Sequence, residues 1–307
     1  MYTLFDSINY SQPYINYSPL TAGVASNPAV NIATMIRNAF LNAPMSWSWN
    51  RNEQTFATVA GTQDYTESWT DFGFIEKCSL TDSNSNVWEV RDVYNTNALG
   101  VSSFQQQPNA VSVLLNTFGS SQKFRFMGAP DAIYTVTMTY QKFSIPFAQF
   151  TLSAAGNASL GHTTYTGVFT PSYFITGANA TVAGFSTAAN NGTFPIVSCN
   201  ATSLVLSNAG GVAESTAATV INSDWSPIPD SFSDVYNNLF LAEAFSVVDE
   251  ENSAMRYRQR GIAALLSKAE GLTSTQINAF LAQFLARDSQ TLANTLRVQQ
   301  GNQARGI

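Results

Sequence analysis

Charge is distributed very unevenly along this chain of 307 residues, and this feature constrains the fold more than any other. Residues 1–150 carry seven basic and ten acidic side chains, and residues 223–307 carry seven basic and nine acidic ones. Residues 151–222 carry a single charge, Glu214, together with the only histidine, His162. A stretch of 72 residues with one charge differs in kind from its flanks. The sequence therefore predicts three segments.

The first segment predicts one helix followed by an antiparallel sheet. Asn27 suits an N-cap and Pro28 suits the first helical position, and an apolar stripe with helical spacing follows. The stripe consists of Ile32, Met35, Ile36, Ala39 and Phe40. From Trp47 the period changes to two, which places Trp47 and Trp49 on one strand face and favours sheet core for these rings over a sugar-binding platform. Further strands are predicted at 55–59, 73–80, 87–93, 110–116, 123–127 and 133–142.

The charge-poor middle segment predicts a small β-sandwich. Its short apolar alternations are separated by turn formers such as the Asn-Gly step at 191–192, whose residues tolerate the positive φ of tight turns. Strands are predicted at 165–169, 181–185, 194–197, 203–206 and 217–221. Spacings of roughly ten residues are typical of sandwiches. Because the segment is nearly uncharged, we expect hydroxyl, amide and apolar groups to make its contacts.

The third segment predicts helices. Ser231 precedes Asp234 at the spacing of a capping box, and apolar residues with near-helical spacing follow. The acids at 249–251 suit the start of a second helix, because the helix dipole favours negative charge there. Thr273 and Gln276 form another capping-box pattern before a third apolar stripe. Together the segments predict an α+β fold: a helical bundle plus an antiparallel β-sheet domain, with a separate inserted β-sandwich.

The composition argues against several classes of function. No run of about 18 apolar residues occurs, and the first residues lack the pattern of a secretory signal, so we expect no membrane partner. A net charge of −6 opposes a grip on nucleic acid. One histidine and two cysteines, Cys78 and Cys199, provide neither a His-pair metal site nor a disulfide framework. No glycine-rich nucleotide motif, nucleophile elbow or spaced carboxylate pair occurs. We therefore predict no catalytic residue, no cofactor and no metal.

Three arginines alternate with other residues in the second predicted helix of the third segment. Arg256 and Arg260 share a helical face, because they are four residues apart. One interpretation is a solvated face whose arginines pair with the acids at 249–251. The alternative is contact with an acidic partner subunit, and the sequence leaves both interpretations open.

Short motifs occur in a definite order near both ends of the chain. They are AFL at 39–41, WSWNR at 47–51, TVAGTQDY at 58–65, DFGFI at 71–75, WSPIPD at 225–230, LFLAEA at 239–244 and LLSKAEGL at 265–272. Their order and spacing resemble the head-to-tail adaptor (connector, or tail tubular A-like) proteins of tailed bacteriophages, over roughly residues 25–145 and 223–288. Between them, residues 184–194 and 206–214 resemble Ig-like β modules of phage virion proteins.

This resemblance implies a virion structural protein at the head-to-tail junction, assembled in the host cytoplasm, and not an enzyme. It implies a homo-oligomeric ring, usually of twelve copies, that docks beneath the portal protein and forms the attachment platform for a tail or nozzle protein. DNA is expected to pass through the ring without sequence-specific binding. The implied domains are an adaptor core at 1–149 and 223–288, an inserted Ig-like module at 150–222 and a portal-docking tail at 289–307.

The resemblance also implies where the contact residues lie. The C-terminal tail is polar and poor in acids, which suits ordering on binding, with its arginines pairing to a partner's carboxylates. The expected portal-interface residues are Leu292, Leu296, Arg297, Val298, Arg305 and Ile307. The expected ring-interface residues are Arg256, Arg260 and Arg287.

Three alternatives remain open at this point. In the first alternative, the middle segment is a decoration or binding module that recognises a host glycan or the capsid surface. The second is an enzyme such as a tail-associated glycan hydrolase, which requires a carboxylate pair that the sequence does not single out. The third is a neck or tail protein other than the adaptor.

Overall fold

A computed structural model describes residues 2–15, 27–93, 104–117, 120–268 and 272–285. These residues form a mixed α+β structure with five α-helices, a mainly antiparallel sheet and a β-barrel. They divide into two compact units. The described residues within Met1–Phe5 and Ser18–Pro229 form the first unit, and those within Asp6–Tyr17 and Asp230–Ile307 form the second. The α+β class predicted from the sequence is confirmed.

The helices begin close to the predicted positions, with one addition. They are α1 (Leu4–Ser11), α2 (Asn27–Leu41), α3 (Ser233–Val247), α4 (Glu251–Lys268) and α5 (Ser274–Leu285). The capping box before α5 is confirmed, since Thr273 Oγ1 accepts a hydrogen bond from Gln276 N at 3.3 Å and Thr273 N donates to Gln276 Oε1 at 2.9 Å. The one before α3 is wrong, because Phe232 is the N-cap residue of that helix. The sequence analysis did not predict α1.

Seven strands of the first unit form one sheet. They are β1 (Arg51–Ala57), β2 (Asp64–Glu67), β3 (Phe72–Thr81), β4 (Val87–Asp92), β5 (Ala110–Thr117), β6 (Ser121–Phe126) and β7 (Thr135–Lys142), in the order β1-β7-β3-β4-β5-β6-β2. The period-two pattern of β7 is confirmed, because Val136, Met138 and Tyr140 are all fully buried. Trp47 is buried as expected, but it precedes a 3-10 turn at Ser48–Asn50 and so does not lie on a strand.

The charge-poor segment folds into a closed six-stranded barrel, whereas the sequence suggested a two-sheet sandwich. Its strands are β8 (Gln149–Ala155), β9 (Thr163–Gly167), β10 (Asn179–Ala183), β11 (Gly192–Cys199), β12 (Ser203–Leu206) and β13 (Ala218–Asn222). The ring closes because β13 pairs with β10 on one side and with β8 on the other, which removes the free edges of an open sheet. The barrel has its own apolar core, which includes Leu152, Tyr165, Leu204 and Val220.

Buried polar groups join the loops at one end of this barrel. Asn190 is fully buried; its Nδ2 donates to Val212 O at 2.9 Å, and its Oδ1 accepts from Val212 N at 2.9 Å. Glu214, the only charged side chain of the segment, accepts hydrogen bonds from Ser186 N at 2.7 Å and Thr187 N at 3.0 Å. Desolvation raises the pKa of Glu214, but these hydrogen bonds outweigh it and lower the pKa to about 2.

Arg37 of α2 ties both chain connections of the barrel to this helix. The residue is 3 % exposed, and its guanidinium donates to Ile145 O at 2.8 Å and also to the carbonyls of Asp224 and Ser226. It also lies 4.2 Å from the ring centroid of Phe147. Burial, opposed in part by the Asp224 charge, lowers the pKa of Arg37 to about 10, so the group stays charged at neutral pH. One side chain thus holds the segments that enter and leave the barrel.

Candidate functional site

In the second unit, α3 and α4 pack closely as an antiparallel helical hairpin. Most side chains of α3 are buried, including those of Leu239 and Phe240. Gly261 of α4 lies against Leu239: a Cβ added at this glycine falls 2.9 Å from Leu239 Cγ and 3.3 Å from Leu239 N. A glycine within a helix costs about 1 kcal/mol relative to alanine. At this position the glycine allows α3 and α4 to pack more closely than a side chain would permit.

Arg258 lies at the centre of this hairpin and is only 2 % exposed. Its Nη2 donates to Oε1 of Glu243 in α3 at 3.1 Å, and its Nη1 lies 3.8 Å from Oε1 of Glu251. The Nε and Nη1 groups are buried and form no hydrogen bond among the described residues. A buried charge is costly unless it is paired, so the Glu243 carboxylate is what makes this position tolerable.

Arg256 and Arg260 face the opposite way and are both exposed. Within the described ranges, neither guanidinium forms an ion pair with a carboxylate. The guanidinium of Arg260 lies 5.2 Å from the ring centroid of Tyr257, a cation–π distance. Like charges four residues apart on a helix destabilise it by a few tenths of a kcal/mol. Contact with an acidic partner would relieve that repulsion.

Aromatic rings continue this surface onto the N-terminal helix and the turn that follows it. The ring centroids of Tyr10 and Tyr14 are 5.9 Å apart, and those of Tyr14 and Tyr257 are also 5.9 Å apart. Phe245 of α3 stacks on the inner side of Tyr257 at 5.5 Å. Tyr10 is 38 % exposed and Tyr14 is 51 % exposed. We call Tyr10, Tyr14, Tyr257, Arg256 and Arg260 the Tyr–Arg surface.

Electrostatics links the members of the Tyr–Arg surface. Desolvation and the neighbouring rings of Tyr14 and Tyr257 raise the pKa of Tyr10, and the Arg260 charge lowers it in part. Tyrosine and arginine dominate the energetic centres of protein interfaces, because each combines a broad apolar contact with a polar tip. The arrangement suits binding to an acidic protein surface.

An acidic counterpart lies at the turn between α3 and α4. Asp249 and Glu250 are exposed, and Asp249 adopts a positive φ of 61°. The third acid, Glu251, pairs with buried Arg258 and with neither Arg256 nor Arg260. Arg256 and Arg260 are thus solvated, as the first interpretation expected, but among the described residues they do not pair with the acids at 249–251. The alternative, contact with an acidic partner, stays a prediction.

The structure places only some of the expected contact residues. Arg256 and Arg260 lie on the Tyr–Arg surface. The remaining expected residues lie outside the described part of the chain: Arg287, Leu292, Leu296, Arg297, Val298, Arg305 and Ile307. The sequence analysis missed Tyr10 and Tyr14, whose spacing of four residues at the start of the chain was the available signal.

The described residues form neither a metal site nor a membrane-spanning helix. Within the residues that the structure describes, no three His, Cys, Asp or Glu side chains come together as a metal site. None of the helices described above is both long enough and apolar enough to cross a membrane. Cys78 is buried and Cys199 half-buried, and burial raises the pKa of each thiol, to about 12 and about 11.

Comparison with known proteins gives no functional assignment, so any assignment rests on the residues of this chain. No protein-family model matches this chain. No curated protein matches it either.

Proposed function

We propose that this chain is a structural protein of a tailed-bacteriophage virion, the head-to-tail adaptor that docks beneath the portal. As proposed, it has no enzymatic activity, assembles in the host cytoplasm and works as a homo-oligomeric ring, usually twelve copies in proteins of this kind. The observation that carries the proposal is the Tyr–Arg surface: two exposed arginines and three tyrosines on one face of a helical unit, with no carboxylate partner among the described residues. Such a surface suits contact with another protein.

In the proposed ring, each copy contacts the next through two different surfaces. The Tyr–Arg surface of one copy meets the acidic turn at Asp249 and Glu250 of the next copy. These are two different surfaces of one chain, so the contact is heterologous, and a heterologous contact closes into a ring when its rotation permits. The net charge of −6 supports a conduit through which DNA slides, because like charge weakens attraction to phosphate.

Each remaining part of the chain has a role in the proposal. Residues 289–307 reach the portal protein through Arg297 and Arg305 and the apolar residues between and beside them. The described helices correspond to the helical bundle of the expected adaptor core. The six-stranded barrel corresponds to the expected inserted Ig-like module. A tail or nozzle protein attaches on the side of the ring opposite the portal.

A pull-down with the portal protein of the same virus tests the proposal. We expect removal of residues 289–307 to abolish capture while the circular dichroism spectrum stays that of a folded protein. The double variant R297E/R305E should also lose capture, and the matched variant R297K/R305K should retain it because the positive charge is kept. Full capture of the truncated chain contradicts the proposal, and rings that form but never bind portal indicate another neck or tail protein.

A further inference from the structure

A cleft of about 780 Å³ opens in the first unit beside the barrel. Its walls come from the C-terminal end of α2, the start of β3, the segment after β7 and the connection between β9 and β10. Ligand sites for small molecules have volumes of about 300–1,000 Å³ and occur where separate parts of a fold meet. The cleft has both properties.

Three aromatic rings line the cleft: Phe74, Phe143 and Tyr173, all half-buried. Tyr173 follows Ser172 in a 3-10 turn, and its ring packs edge-on against Phe150 at 5.8 Å. Phe143 is held through its backbone, because its N–H donates to Asp71 O at 3.0 Å. The Tyr173 ring and the backbone that carries Phe143 are therefore positioned by the fold itself.

Polar groups in the cleft are available for a ligand. Ser144 Oγ donates to Asn38 Oδ1 at 2.7 Å, which occupies the oxygen of this amide. The side chains of Asn42, Thr170 and Ser172 also line the cleft and form no hydrogen bond with any described residue. The barrel asparagines differ: Asn190, for example, bonds at both its oxygen and its nitrogen. The Asn42 amide and the Thr170 and Ser172 hydroxyls are therefore the cleft groups left without an internal partner.

Among the described residues that line the cleft, none carries a charge. An anionic ligand such as a phosphate or a sialylated sugar finds no cation there, and a cationic ligand finds no carboxylate. A neutral saccharide fits both parts of the lining, because its ring carries C–H faces that pack on aromatic rings and hydroxyl edges that bond to amides and hydroxyls. A proline-rich peptide uses aromatic rings but offers few partners for so many polar groups. We infer that the cleft binds a neutral oligosaccharide.

The inference is tested by binding of the full chain to an array of neutral and anionic oligosaccharides. Any neutral compound that binds is then titrated by calorimetry together with chitohexaose, cellohexaose, maltohexaose and a decaproline peptide. We expect saturable binding of at least one neutral oligosaccharide. The variant N42A/T170V should weaken it at least tenfold, because it removes an amide and a hydroxyl from the cleft.

A matched variant separates the cleft from a general effect. N109A/T216V removes the same groups from exposed positions outside the cleft and should leave the affinity unchanged. The inference is overturned if no neutral oligosaccharide binds, if only anionic glycans or decaproline bind, or if both double variants lose binding equally. These outcomes are independent of portal capture. Failure of the saccharide inference can therefore be distinguished from failure of the proposed adaptor function.

Discussion

Arg258 of α4 donates from Nη2 to Oε1 of Glu243 in α3 across 3.1 Å, in an environment where the arginine is 2 % exposed. The alternation Arg256, Arg258, Arg260 thus divides between two faces of one helix. Residues two apart on a helix point in nearly opposite directions. Arg256 and Arg260 therefore lie on the Tyr–Arg surface, and Arg258 is buried between α3 and α4.

Removing the carboxylate of this buried pair should destabilise the helical unit strongly. In Glu243→Gln the shape is kept, but the Arg258 charge loses its closer carboxylate and keeps only the exposed Glu251 at 3.8 Å. Breaking a buried pair costs about 3–5 kcal/mol. Urea unfolding followed by circular dichroism at 222 nm measures the loss. The double variant E243L/R258M should recover most of it, because no unpaired charge remains buried. A stability of E243Q equal to that of the parent contradicts this account.

Gly261→Ala should lower stability although alanine is the better helix former. The added methyl meets Leu239 Cγ at 2.9 Å. Overpacking costs about 1–3 kcal/mol, which exceeds the gain of about 1 kcal/mol in helix propensity. In a Leu239→Ala background the same substitution should cost less, since Cγ and Cδ2 are gone and only the contact with the backbone N at 3.3 Å remains. The four unfolding free energies form a double-mutant cycle, and a coupling energy near zero means that the helices do not approach through this glycine.

Charge reversal on the Tyr–Arg surface should prevent assembly of the proposed ring. R256E/R260E presents negative charge to the acidic turn of the neighbouring copy, so mass photometry should show monomers in place of rings. R256K/R260K keeps the charge and should keep rings, with weaker assembly at high salt because exposed pairs are screened. Since both side chains are exposed, neither variant should alter the circular dichroism spectrum. Rings of R256E/R260E equal in mass and yield to the parent's place the interface elsewhere.

Sequence patterns predicted the strands that have a recognisable local pattern, and they could not predict features that depend on which strands pair. Six strands of the sheet were located from short runs of strand-forming residues, and in the clearest of them, β7, one buried face gives the period of two at Val136, Met138 and Tyr140. The missed β2 has four residues, Asp64–Glu67, too few for a clear period. Closure of the barrel could not be read from the sequence, because the same short alternating strands serve a sandwich or a barrel and the difference lies in which strands pair with β13.

The candidate site was predictable only where local spacing was informative. The shared face of Arg256 and Arg260 follows from their separation of four. Tyr10 and Tyr14 come from the other end of the chain. Their spacing of four residues is visible in the sequence, but their contact with Tyr257 joins segments too distant in sequence to leave a local pattern. The pairing of Glu251 with Arg258 joins two residues of the same helix, but it too depends on tertiary structure, because packing of α4 against α3 buries Arg258.

The loop end of the barrel should loosen in acid through Glu214. The folded-state pKa is about 2 and lies below the ordinary value of 4.5. The stabilisation is therefore complete above about pH 4.5, and it is lost as the pH falls toward 2. Glu214→Gln should speed amide exchange at Ser186 and Thr187 at pH 7, and this difference should shrink as the parent is protonated. Glu89→Gln, on the seven-stranded sheet, should leave exchange in the barrel unchanged. Equal exchange in E214Q and the parent at pH 7 contradicts this role.

Arg37 should be the residue whose loss most weakens the attachment of the barrel to α2. Arg37→Met keeps much of the bulk but leaves the carbonyls of Ile145, Asp224 and Ser226 without their shared donor. Each buried acceptor left unsatisfied costs about 1–3 kcal/mol, so a total loss of about 3 kcal/mol or more is expected.

Arg37→Lys tests whether the charge or the shape of the guanidinium matters. A lysine ammonium keeps the charge but cannot spread its donors over three carbonyls in the plane of a guanidinium, so an intermediate loss is expected. Near-ultraviolet circular dichroism should report both variants, because fully buried Trp225 packs edge-on against Phe147 at 5.0 Å, and Phe147 lies under the Arg37 guanidinium. If R37M unfolds at the same urea concentration as the parent with an unchanged near-ultraviolet spectrum, the barrel is held by its apolar contacts alone.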